Sequence, residues 1–144
     1  MQSSKRALII LTVIGSAISI GFGIWHFFIP NIWNWYSYIV PEATELVIAI
    51  RAINFFFSLL LILLGVANML LVFRKLQDRF SNIVILSISI ILWTTRVILQ
   101  LVYPQGSQNS IIQYSMLLIF GVVLACFALS LLLILRNKEI VETR

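Results

Sequence analysis

Within long runs of Leu, Ile, Val and Phe, a few side chains stand out as able to form directed polar contacts: His26, Arg51, Asn54, Trp93, Arg96, Gln100 and Tyr114. A guanidinium presents a planar fork of donors, so Arg51 and Arg96 point to an anionic head, a carboxylate or a carbonyl oxygen as ligand. Asn54 and Gln100 follow the two arginines by one helical turn and add neutral donors and acceptors on the same faces. His26 is the sole histidine, a residue type that ligates metals and haem or relays protons near neutral pH. It has neither a second histidine nor a carboxylate beside it, and Met116 is the one methionine at a matching depth. An interfacial imidazole with satisfied nitrogens is therefore the plainer reading, and no metal or haem site is assigned. Nor is a catalytic residue: hydroxyls abound, but a nucleophile needs a base and an orienting group, which one imidazole alone does not supply.

What positions these residues follows from composition. The 144 residues suit a single domain, and 61% hydrophobic with 10% charged residues lies far from the roughly 25% charged of soluble chains. Apolar runs over 7–29, 46–73, 83–103 and 111–135 each exceed the about 20 residues that a membrane-crossing helix requires. They are continuous rather than alternating, which excludes barrel strands, and helices satisfy their own backbone in hydrocarbon. Short connections make sequential helices antiparallel neighbours. The expected fold is all-α: a transmembrane antiparallel four-helix bundle forming one membrane domain over 1–144. The first run is too long for a cleaved secretory signal and lacks its small-residue cleavage site. Cys126 is the single cysteine and leaves the redox compartment unread.

Charge orients the spans. Lys5 and Arg6 precede the first helix, Arg74, Lys75 and Arg79 join the second to the third, and Arg136 and Lys138 follow the fourth, while the other two connections contain no Lys or Arg. The positive-inside rule then places both termini in the cytoplasm. The net charge of +5 reflects topology and contact with anionic lipid, not nucleic acid. "GFGIWHFFIPNIWNWYSYIVPE", residues 21–42, falls at the outer surface, with Trp25, Trp33, Trp35, Tyr36 and Tyr38 as an aromatic belt. Pro30 is expected to end the first helix, and Pro41 to open the second with Glu42 and Glu45 in its first turn. Residues 30–41 are expected to lie along the interface.

Small and polar residues recur at helical spacing and mark the expected contact faces. They are Thr12, Gly15, Ser16, Ser19, Gly23 and His26 on the first helix, and Arg51, Asn54, Ser58, Gly65 and Asn68 on the second. The third offers Asn82, Ser89, Trp93, Arg96 and Gln100, and the fourth Tyr114, Gly121, Ala125 and Ala128. At 1.5 Å per residue, His26 lies about 6 Å, Arg51 about 8 Å and Arg96 about 10 Å below the outer boundary. An arginine at the bilayer centre costs about 2.5–3.5 kcal/mol on insertion scales, so such residues usually face a cavity or partner. Two readings stay open. In one, the two arginines share an outward-opening pocket between the first three helices; in the other, each snorkels to lipid phosphate or pairs with Glu42, Glu45 or a backbone carbonyl.

The stretch from Gly23 to Pro41 resembles the end of the first helix in DoxX-like membrane proteins: Gly23, the pair His26–Phe27, Pro30 and then Pro41 before the second helix. Such proteins often carry Glu near a Gly in the second helix, where this chain has Arg51, Asn54 and Gly65. The resemblance implies a small bacterial or archaeal plasma-membrane protein, some of whose relatives are linked to thiosulfate and quinone oxidoreduction. The residues themselves favour a non-catalytic module that binds a lipidic or quinone-like ligand, or a partner subunit, through an outer polar pocket. The alternative is a membrane subunit of a quinone-linked oxidoreductase. Beyond the lipid bilayer, the exposed Leu and Ile faces leave a homo-oligomer or a larger membrane complex open. A transporter is disfavoured, since the cytoplasmic halves hold only Asn68, Asn82 and scattered hydroxyls.

Overall fold

The computed structural model describes residues 2–73, 79–105 and 109–136; Arg74, Lys75 and Lys138, used above for orientation, lie outside them. The described residues form four α-helices: α1 (Gln2–Ile32), α2 (Thr44–Phe73), α3 (Arg79–Val102) and α4 (Ser110–Arg136). A 3-10 turn over Trp35–Tyr38 links α1 to α2. All four helices are long and apolar enough to cross a membrane, so the chain is a small multi-pass membrane protein.

Pairwise contacts show the antiparallel register directly. Along α1 and α2, a Cβ added at Gly23 would meet Ser58 and Leu61, and one added at Gly65 would meet Ser16 and Ile20. Along α1 and α4, Thr12 donates to Ser130, Gly15 faces Cys126 and Phe127, and Phe22 meets Phe120. Along α3 and α4, Arg79 reaches the last carbonyls of α4, Trp93 packs on Phe120, and Gln100 reaches the Gln113 carbonyl. The α1–α2 seam is the most extensive and α2–α3 the least. Asn68 Nδ2 donates to Ser89 Oγ across that looser seam at 2.8 Å. The antiparallel order gathers Lys5, Arg6, Arg79 and Arg136 at one end, the basic end, and the 3-10 turn at the other, the aromatic end.

Lipid tails are as apolar as Leu, so helices associate through close packing and interhelical hydrogen bonds rather than hydrophobic transfer. Gly23 and Gly65 supply the close approach. A Cβ would come within 2.8 Å of the Ser58 carbonyl oxygen at the first and 2.9 Å of the Ser16 carbonyl oxygen at the second. On the α4 side the fit is large against small, with the Phe127 ring 3.2 Å from where a Cβ of Gly15 would stand.

Three expectations need correction. Pro30 does not end the first helix, which continues to Ile32 with Trp33 N donating to Ile29 O at 3.0 Å. A proline ring removes its own donor and crowds the carbonyl four residues back, which is left without its helical partner. Here that is His26 O, and Asn54 Nδ2 of α2 supplies the missing hydrogen bond at 3.1 Å. The second helix opens at Thr44, so Glu45 but not Glu42 lies in its first turn, and Pro41 belongs to the preceding turn closed by Ala43 N on Val40 O. In the 30–41 segment the chain reverses at Asn34, which adopts φ 49° in the left-handed region that Asn tolerates, before the 3-10 turn. Finally, the small face of the fourth helix is not a contact face. Tyr114 is 73% exposed, and a Cβ at Gly121 would meet nothing within 4 Å. The buried side carries Met116, Phe120, Val123, Phe127, Ser130 and Ile134, because α1 already presents small residues there and bulk is needed opposite them.

Gly23→Leu and Gly65→Leu should each lower stability by about 1–3 kcal/mol through overpacking, while Gly121→Ala should leave it unchanged or raise it by up to about 1 kcal/mol. Chemical or thermal unfolding in detergent checks this; equal effects at the three positions would contradict the packing described.

A caged guanidinium at the aromatic end

On α3 the buried positions Ser89, Trp93, Arg96 and Gln100 recur every three or four residues and so form one stripe that faces the bundle axis. This places a guanidinium inside the bundle. Arg96 is only 8% exposed. Its guanidinium carbon lies 4.9 Å from the ring centroid of Phe120 on α4, 5.7 Å from that of Phe22 on α1 and 5.8 Å from that of Phe57 on α2. Phenyl faces stabilise a cation by about 2 kcal/mol or more where water is removed, which offsets part of the cost of burial.

Hydrogen bonding leaves the cation incompletely satisfied. Arg96 Nη1 donates to Gln105 Oε1 at 2.7 Å. Gln105 is held there by Gln100, whose Nε2 donates to Gln105 O at 3.0 Å and whose Oε1 accepts from Gln105 N at 3.3 Å. Arg96 Nε is buried and has no partner. The described acidic residues, Glu42 and Glu45, are both exposed around the start of α2, and among the described residues no carboxylate pairs with Arg96.

His26 borders the same cage. Its ring packs 4.8 Å from Phe57 and 5.8 Å from Phe22, two of the rings that flank Arg96, and its Nδ1 is buried without a partner. Asn54 donates to His26 O, while its Oδ1 is likewise buried and unpartnered. Trp93 forms the floor: Nε1 donates to Ser19 Oγ at 3.1 Å, and its ring lies 5.6 Å from Phe120 and 6.0 Å from Phe22. Three buried polar atoms on three helices thus surround one set of phenyl rings with hydrogen-bonding capacity unused. Among the described residues no three His, Cys, Asp or Glu side chains cluster as metal ligands would.

Of the residues singled out in the sequence, His26, Asn54, Trp93, Arg96 and Gln100 come together, and Arg51 and Tyr114 do not join them. Arg51 is exposed and stacks over Tyr36 of the 3-10 turn, 4.9 Å from its centroid. The pocket shared by two guanidinium groups between the first three helices is therefore replaced by one guanidinium that all four helices enclose. Arg51 sits in the second turn of α2, 60° around the axis from the inward-facing Asn54, and at that level an aromatic of the turn captures it. Phe22, Phe57, Phe120 and Gln105 complete the site without having been foreseen. Phe22 stands four residues before His26 and Phe57 three after Asn54, a usable spacing signal, but the sequence has ten Phe, and Phe28, Phe55 and Phe56 face outward.

Comparison of the chain with protein-family models, with curated proteins and with solved structures finds no match. Its class rests on its architecture: a multi-pass membrane protein of four apolar helices.

Arg96→Met, which keeps the length and removes the charge, should stabilise the bundle by about 1–3 kcal/mol, whereas Arg96→Ala leaves a void between three rings and should destabilise it. Unfolding of the two variants in detergent tests this. A loss of stability in Arg96→Met comparable to that in Arg96→Ala would mean instead that the guanidinium's own contacts with Gln105 and the rings hold the bundle together.

Proposed function

We propose that this protein is a non-catalytic membrane module that binds the head of an anionic membrane lipid at Arg96. The observation that carries this reading is a buried guanidinium with one idle donor and, among the described residues, no carboxylate partner, inside a cage of three phenyl rings. A phosphate or carboxylate head supplies the missing negative charge and accepts a forked pair of hydrogen bonds from Nε and Nη. Gln105 Oε1 then marks where a ligand oxygen docks, and the His26 imidazole and the Asn54 amide oxygen stand beside it as polar contacts for hydroxyls of the head.

A second reading has its own support. Gln105 holds Arg96 through a neutral amide oxygen, so a quinone carbonyl fits the same donor, as a membrane subunit of a quinone-linked oxidoreductase would require. The anionic head is preferred because a neutral carbonyl leaves the charge uncompensated.

The same proposal sets the orientation, with the aromatic end outward and the basic end, carrying both termini, in the cytoplasm. The likeness of Gly23, His26, Phe27, Pro30 and Pro41 to DoxX-like proteins supports a plasma-membrane setting.

Native mass spectrometry of the detergent-purified chain should show retained phosphatidic acid or phosphatidylglycerol in preference to phosphatidylcholine. Charge-assisted hydrogen bonds are worth about 1.5–3 kcal/mol, so Arg96→Gln should lower that retention by roughly tenfold to a hundredfold, and Arg51→Gln should not. Copurifying quinone, lost in the same variant, would instead favour the second reading. For topology, a cysteine placed at Ser37 in a Cys126→Ala background should react with an impermeant maleimide on intact cells, and one at Ser3 should not; the reverse pattern contradicts the orientation.

A further inference from the structure

We infer that the apolar groove between α1 and α4 is a hydrocarbon-chain subsite, holding the chain of the same amphiphile whose head Arg96 binds. The inference rests on the head-binding reading above. The groove encloses about 490 Å³ beside Gly21, Phe22, Trp25, Ser115, Ile119 and Phe120, within the size range of small-molecule sites.

An apolar groove in a bilayer does not by itself select anything, because bulk lipid chains are equally apolar. Two features of this one bear on a ligand, and the first is not shared by the groove beside Gly121 on the outer side of α4. The first is that it shares its back wall with the cation cage. Phe22 and Phe120 meet edge to face with centroids 5.1 Å apart, line the groove, and also flank the guanidinium of Arg96. Groove and charge are thus separated by the thickness of these two rings. A chain lying in the groove has its polar end next to the buried guanidinium at this level.

The second feature is Gly21. Gly23, two residues on, is demanded by α2, with a prospective Cβ 2.8 Å from the Ser58 carbonyl oxygen. A Cβ at Gly21 would meet nothing within 4 Å, so the packing of this bundle does not require a glycine there. Glycine in a helix interior is less favourable than alanine, and here its effect is to leave the groove floor bare. Trp25 borders the groove, its ring packed 5.5 Å from Phe22 and 5.9 Å from Trp33. The head reaches Arg96 from the aromatic end by displacing the Gln105 side chain, and the chain passes over the first turn of α4 into the groove.

The test uses the full chain in phosphatidylcholine nanodiscs doped with phosphatidic acid carrying a diazirine midway along one acyl chain, with crosslinked peptides mapped by mass spectrometry. Label should concentrate about threefold on segments 18–25 and 111–120 relative to the lipid-facing side of α2. It should do so for the phosphatidic acid probe and not for a phosphatidylcholine probe. Gly21→Leu, which has room to fold, should abolish the concentration while leaving retention of short-chain dihexanoyl phosphatidic acid intact, and Arg96→Gln should abolish both. Even labelling around the wild-type bundle overturns the chain subsite, and so does enrichment that survives Arg96→Gln. Short-chain retention that is unaffected by Arg96→Gln overturns the head-binding reading instead.

Discussion

A positive charge held away from water, with no negative partner among the described residues, constrains everything around it. Arg96 sits at an inward position of α3 that the helical repeat of Ser89, Trp93 and Gln100 makes unavoidable. Phenyl faces from the other three helices, together with a glutamine from the connection to α4, compensate it in part. Ring quadrupoles and one neutral acceptor do not amount to a counterion. The arrangement therefore has the character of a site kept ready for an anion, and the unused capacity of His26 and Asn54 beside it reinforces that character.

The rest of the bundle gives this site a fixed frame. α1 is the common neighbour: glycines let α2 approach it closely, while its small face receives Phe127 of α4. Polar contacts between helices are dispersed along the bundle, from Thr12–Ser130 through Asn68–Ser89 to Trp93–Ser19. Interhelical hydrogen bonds of this kind average about 0.6 kcal/mol, so they specify register more than they add stability. Trp93 belongs to both systems, since its indole nitrogen ties α3 to α1 while its ring closes the floor beneath Arg96.

Much of this was legible in the sequence, for reasons that differ from helix to helix. Run length and hydropathy gave four spans because a helix in hydrocarbon has few other options. The α3 face was readable because polar residues interrupt an apolar background at a helical period. On α4 the background is apolar all round, so small residues on the lipid side looked like a contact face, and the bulky inward side carried no mark. Depth counted along the chain put Arg51 and Arg96 at one level, yet azimuth separates them, and azimuth depends on which neighbour each helix turns toward. Gln105 lies beyond the end of α3, where no periodicity applies.

The exchange of hydrogen bonds around Pro30 couples two distant positions energetically. The proline leaves a carbonyl bare inside α1, and the amide of Asn54 exists in α2 to cover it. Replacing the proline alone would return that carbonyl to its own helix and strand the asparagine amide in an apolar seam. Replacing the asparagine alone would strand the carbonyl. Residues 30 and 54 thus act as one unit, in which the cost of changing either depends on what stands at the other.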